Sequence, residues 1–152
     1  MIAMHETEIK YFSQALLDIK DEFYFDAISS FKKIYEEFPQ SELCDDAYYN
    51  IGLCYFELNQ FEKAIHYFKH VIENYPDSKI SILQNGSEFG STCAKCHLGI
   101  INCYLATGNT KEIAHQISEI KKYKNSYVIK DGKKIKFFEI ANDQLKKFKE
   151  IN

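Results

Sequence analysis

Apolar residues recur at three- and four-residue spacing along almost the whole chain, the period of a helix with one buried face. Ile9, Phe12, Leu16 and Ile19 predict a first helix, and Lys20-Asp21-Glu22 breaks it. A second is predicted over about 24–37, with Ala27, Ile28, Phe31, Ile34, Tyr35 and Phe38 inward. Pro39 stops it, since proline cannot continue the hydrogen-bond ladder and pushes the residue before it out of the helical region. Ser41 or Asp45 can cap the next helix with a side-chain oxygen. A third helix is predicted over about 43–58, Asn59-Gln60 turns the chain, and a fourth runs over about 61–74 and ends at Pro76.

The second pair of helices repeats the first. Displaced by 37 residues, Tyr11 falls on Tyr48, Ala15 on Gly52, Tyr24 on Phe61, Ala27 on Ala64, Phe31 on Phe68, Ile34 on Val71 and Pro39 on Pro76. Such a period marks a repeat architecture, in which each unit buries its apolar face by stacking on a neighbour. The run Tyr48, Ile51-Gly52, Tyr55, Ala64, Phe68, Val71, Pro76 resembles a tetratricopeptide repeat. The small Gly52 and Ala64 let two antiparallel helices approach, and Tyr48, Tyr55 and Phe68 fill the gaps around them. The endings Phe38 to Ser41 and Tyr75 to Ser78 resemble the repeat variety of bacterial envelope-assembly factors. The resemblance implies an all-α fold: a solenoid of antiparallel helix pairs with about three units and a C-terminal capping helix.

A third copy needs an offset of 49, which places Ile51 on Ile100, Tyr55 on Tyr104 and Phe68 on Ile117. The extra residues fall at 79–92, where Asn85-Gly86 and Gly90 read as turns. We expect one domain over 1–152, with repeats at about 8–41, 45–78 and 94–125, the insertion at 79–92 and a capping segment at 126–152. The plain expectation for the insertion is a slightly longer first helix plus a disordered loop; the alternative is a loop on one solenoid edge that carries added function. Phe138, Ala141, Leu145 and Phe148 predict an amphipathic capping helix over about 134–150. The strong turn pair Asp131-Gly132 offers a short hairpin before it, between 126–129 and 134–137. The same apolar face would also suit a second subunit.

Composition narrows the function classes. The chain has 152 residues, 45% hydrophobic, with 19 basic against 22 acidic residues and a net charge of -3. That balance does not suggest a nucleic-acid binder, and the lysine-rich stretches between 121 and 149 read as solvated faces. The N-terminus has no basic and apolar leader pattern, and no apolar run reaches the ~20 residues that cross a bilayer. The expectation is a cytoplasmic protein with no membrane insertion, whose cysteines are small buried hydrophobes.

One motif carries definite chemistry. Cys93-Ala94-Lys95-Cys96-His97 matches C-x-x-C-H, the pattern of covalent haem attachment, and Cys93, Cys96, His97 and Cys103 could otherwise gather a metal. The repeat supplies a plainer explanation: at the offset of 49, Cys93 falls on Cys44, Cys103 on Cys54, Cys96 on Ala47 and His97 on Tyr48. We therefore expect no cofactor and no metal. His66 and His70, four apart, read as solvated surface, and Asp45-Asp46 as acids complementing a helix N-terminus. There is no phosphate loop, nucleophile elbow or H-E-x-x-H, and no catalytic role is expected.

In tetratricopeptide arrays the first helix of each pair lines the concave surface. Carried over by position, that surface takes Phe12, Leu16 and Ile19 from the first repeat, Tyr49, Asn50, Leu53 and Phe56 from the second, and Lys95, Leu98, Asn102 and Leu105 from the third. Asn50 and Lys95 match two positions of the set with which some members grip a peptide carboxylate. Phe12, Leu16 and Gly99 break that set, so the clamp is not expected. The resemblance implies a non-catalytic adaptor binding a protein or peptide in an apolar groove. The other class is a self-associating, homodimeric module whose groove is already filled.

Overall fold

The computed structural model describes residues 5–84 and 86–152. Met1 to Met4 and Asn85, half of the expected Asn85-Gly86 turn, lie outside the described residues. The chain forms three antiparallel helix pairs: α1 (Glu6–Lys20) with α2 (Tyr24–Glu37), α3 (Cys44–Glu57) with α4 (Phe61–Asn74), and α5 (Thr92–Thr107) with α6 (Ile113–Ile120). A last helix, α7 (Phe137–Ile151), packs on α5 and α6. Each helix packs on the next, and α3 also meets α5, so the pairs stack into a solenoid.

The repeat extends to the backbone of the turns. At the end of α1, the Phe23 amide donates to the Asp18 carbonyl (2.7 Å); Gln60 does the same to Tyr55 after α3 (2.8 Å), and Asn109 to Tyr104 after α5 (2.9 Å). The residue before each of these donors has positive φ: Glu22 at 63°, Asn59 at 60° and Gly108 at 73°. This is a left-handed helix cap that returns the chain at the same angle three times. Only the third copy uses the residue that takes this conformation without strain.

Helices α3, α4 and α5 meet at Phe68, which is fully buried. Its ring lies against both Gly52 of α3 and Gly99 of α5: a Cβ built on either would stand 2.7 Å or 2.6 Å from it. Phe12, Phe31, Ile34 and Ile51 form the core of the first two pairs, and Ile101, Ile113, Ile120 and Phe137 that of the third pair and α7. The cysteines belong to this packing. The Cys44 thiol donates to the Phe38 carbonyl at 3.3 Å and the Cys93 thiol to the Tyr75 carbonyl at 3.3 Å. In both repeats, then, a thiol at a helix start closes the preceding aromatic-proline turn. Ser41 accepts from the Leu43 amide at 3.0 Å just before α3, and Asp45 sits inside the first turn rather than capping it.

The insertion departs from the expected disordered loop. It contains β1 (Glu88–Phe89), which pairs antiparallel with β2 (Tyr127–Lys130), which in turn pairs with β3 (Lys133–Lys136). The insertion and the hairpin are thus one three-stranded sheet, closed by Asp131 and Gly132 at φ 52° and 75°, the mirror-image turn that suits a two-residue hairpin. Ser91 donates its amide to Ser126 Oγ at 2.9 Å, and Ile80 to the Gly90 carbonyl at 2.9 Å. The capping helix starts three residues later than expected because 133–136 pair as a strand.

Two substitutions test these contacts. Gly99→Ala drives a methyl into a ring that a second helix holds from behind, and should cost about 1–3 kcal/mol in urea unfolding; Gly99→Ala with Phe68→Leu should recover part of it. Glu22→Gly relieves a left-handed conformation and should raise stability by about 1 kcal/mol in the same measurement.

Candidate functional site

The solenoid's first helices, α1, α3 and α5, carry the residues expected to face a partner. Six converge on one cavity of about 190 Å³: Tyr49, Leu53 and Phe56 from α3, and Lys95, Leu98 and Asn102 from α5. Glu57, Phe68, Glu88, Gly99 and Phe137 complete its wall. The helical period brings the α3 and α5 residues to one face, since each pair is separated by three or four residues.

Five expected groove residues lie elsewhere; Ile19 packs on the first core cluster and Leu105 on the third. Phe12 is fully buried, edge-on against Phe31 at 5.6 Å. Leu16 is half-buried against the first core cluster. Asn50 is fully buried: its Nδ2 donates to the Asp46 carbonyl at 2.8 Å and to Gln84 Oε1 at 2.8 Å, and Gln84 Nε2 returns a bond to Asn50 Oδ1 at 3.1 Å. The insertion explains the burial of Asn50. Its residues lie over the N-terminal turns of α3 and α5, where Ser81 donates its amide to Asp46 Oδ1 at 3.3 Å and Glu88 pairs with Lys95 at 2.8 Å. Leu83 packs on the first core cluster.

Four charged groups gather beneath that insertion. Lys95, 3% exposed, holds its ammonium 2.8 Å from Glu88 and 4.2 Å from the centre of the Tyr49 ring. Burial acts to lower its pKa, but the Tyr49 phenol and the Glu88 and Asp46 carboxylates outweigh it and hold the pKa above its ordinary 10.5. Asp45 and Asp46 are not solvated helix-start acids: they are 5% and 1% exposed. Thr92 donates to Asp45 Oδ2 at 2.7 Å, while Asp46 Oδ2 has no hydrogen-bond partner. Burial first, and then repulsion by Asp45, push the Asp46 carboxyl well above its ordinary 3.8, against the pull of the Ser81 amide and Lys95. Asp45 is raised as well, chiefly by burial.

The C-x-x-C-H residues point apart. Cys93 turns to the end of α4 through its bond to Tyr75, and Cys96 is fully buried in the second core cluster. His97 Nδ1 lies 2.6 Å from Gln116 Oε1 of α6, a contact in which the ring nitrogen carries the proton because an amide oxygen only accepts. Burial raises both thiols and lowers the imidazole, so each neutral form is favoured. His66 is exposed as expected, but His70 is half-buried and stacks on Tyr48 at 4.1 Å.

Stacked helix pairs with a cavity between successive first helices define a helical-repeat protein. The family model for the tetratricopeptide repeat matches residues 45–78, which are the α3–α4 pair. Residues 45–78 are thus a tetratricopeptide repeat, and a helix pair of the same form packs on each side of it. No curated protein matches the chain.

Glu57 adjoins Phe56 on α3 and Gly99 adjoins Leu98 on α5, so helical position alone could have added them. Glu88 and Phe137 enter the cavity from the insertion and the start of α7, where no repeat position points to them.

The raised Asp46 carboxyl has a signed consequence. The folded state binds its proton more tightly than the unfolded one. The group's contribution is therefore most favourable at low pH and is lost as pH rises from about its ordinary 3.8 through the raised folded value. Asp46→Asn keeps an acceptor for Ser81 and removes the buried charge. It should flatten the stability-pH profile over that interval and raise the urea midpoint at neutral pH.

Proposed function

We propose that this protein is a non-catalytic adaptor that binds a protein or peptide segment, with the cavity between α3 and α5 taking one large apolar side chain of the partner. The observation that carries this is the convergence of Tyr49, Leu53, Phe56 and Asn102 with Phe68 and Phe137 on one cavity. Most of its wall is apolar, with the buried Phe68 ring part of it, and Asn102 and Glu57 supply polar groups that orient a partner's backbone. Lys95 and Glu88 neutralise each other, so the cavity selects for shape and apolar surface more than for charge. The family itself supports a protein-interaction role.

The alternative, a module whose groove is already filled, draws on the insertion. Gln84 and Glu88 hold Asn50 and Lys95, the N-terminal part of the expected groove, and Ser81 holds Asp46 beside them. Both readings fit one arrangement, in which the insertion covers that part and leaves the Tyr49–Asn102 cavity for a partner. Among the described residues no helix is long and apolar enough to cross a membrane.

Selection from a displayed peptide library on the immobilised full chain tests the proposal. Enriched peptides should share an apolar anchor, and Phe56→Glu should weaken them at least tenfold, worth about 1.4 kcal/mol, with helicity by circular dichroism unchanged. Peptides that bind Phe56→Glu and the parent chain equally would refute it.

A further inference from the structure

Charge is divided unevenly along the chain. Residues 1–120 hold eighteen acidic residues against nine lysines, whereas residues 121–136 hold seven lysines against Asp131 alone. The basic segment is the β2–β3 hairpin and its approach. Lys130 and Lys133 stand directly opposite each other across the strands, a like-charge pairing that works against the hairpin. Among the described residues, Lys130, Lys133, Lys134 and Lys136 form no ion pair. Alternation puts Phe89, Tyr127, Ile129, Lys134 and Lys136 on one face of the sheet. On that face Phe89 stacks on Tyr127 at 5.3 Å, Lys134 lies 4.1 Å from the Tyr127 ring centre, and Phe89 and Ile129 remain 41% and 40% exposed. It is a basic surface with an apolar centre.

The opposite combination sits at the other end of the stack. At the α1–α2 turn, Leu17, Phe23 and Phe25 are 55%, 57% and 66% exposed. They are interleaved with Asp18, Asp21, Glu22 and Asp26, and Lys20 is the single cation there. Asp21, Glu22 and Asp26 make no ion pair among the described residues. The first patch follows the third helix pair, and this one belongs to the first, so one molecule cannot bring them together.

We propose that copies of this chain associate head to tail, the acidic apolar turn between α1 and α2 of one copy seated on the basic outer face of the next copy's sheet. Exposed apolar clusters of this kind mark interaction surfaces, and the two rims have opposite sign. A nucleic acid would use only the sheet, and the acidic residues 1–120 would repel it; a second copy uses both patches at once. The contact is heterologous, so it grows by addition unless the rotation closes a ring.

Sedimentation velocity of the full chain tests this. In dilute buffer the sedimentation coefficient should rise with protein concentration. The rise should vanish at about 1 M salt, where the screening length falls to about 3 Å from about 10 Å at 0.1 M. Lys134→Glu with Lys136→Glu should leave a monomer, as should Asp21→Lys with Glu22→Lys, each with unchanged circular dichroism. An equimolar mixture of the two should associate again, because each reversed patch meets its reversed counterpart. A wild-type chain that stays monomeric in dilute buffer, association that survives high salt or either reversal, or a mixture that stays monomeric would overturn the proposal. So would a monomer whose sheet captures a labelled oligonucleotide or an acidic peptide instead.

Discussion

Phe68 sits where three helices have no room for anything else. One ring fills the space between two glycines on different helices, and that sets how closely α3, α4 and α5 approach. If the ring were smaller, the repeats would part or leave a void; a Cβ on either glycine would push them apart. The same ring lines the cavity along with Tyr49, Leu53 and Asn102. Packing and proposed binding therefore share one side chain, and the cavity's depth is a by-product of how the second and third repeats fit together. Burying an aromatic ring this fully is among the larger single contributions to a core, about 3–5 kcal/mol on truncation to alanine.

Around that apolar centre lies an unusual amount of buried charge. Lys95, Asp45 and Asp46 occupy the first turns of α5 and α3, positions that face solvent or a partner in an open array. Here the insertion covers them. It brings Glu88 to Lys95, Gln84 to Asn50 and the Ser81 amide to Asp46. The cover is incomplete in electrostatic terms, since Asp46 Oδ2 is left without a partner and its proton is held tightly. Buried polar groups that must pair in one way fix the position of the segment that pairs with them. Those contacts hold the insertion together with Leu83 and Ile80, which pack on the first and third core clusters, while Ile82 between them is 87% exposed.

The helices were legible because their information is local. Tyr24 to Glu37 and Phe61 to Asn74 show the helical period, and a proline near each end marks where they stop. The cysteines were legible through the repeat, because Cys44 and Cys93 perform the same bond to the same kind of turn. The sheet was only half legible. Asp131-Gly132 announces a hairpin, but nothing within 79–92 indicates that Phe89 will pair with Tyr127, since strand pairing over such a separation leaves no periodic trace. The groove failed for the same reason at Asn50, where the burying partner is Gln84 of the insertion. At Phe12 the repeat position suited the groove, but the ring is fully buried and packs edge-on against Phe31.

The three-stranded sheet also ties the array shut. Strand β1 precedes the third helix pair and β2 follows it, so α5 and α6 lie within a chain segment whose two ends are held together by backbone hydrogen bonds. An ordinary solenoid can lengthen by duplicating a unit at its end, and it can fray one unit at a time. Here the pair α5–α6 cannot fray freely from the stack, because its entry and its exit are paired through β1 and β2. The clasp couples the opening of that pair to the parting of the two strands.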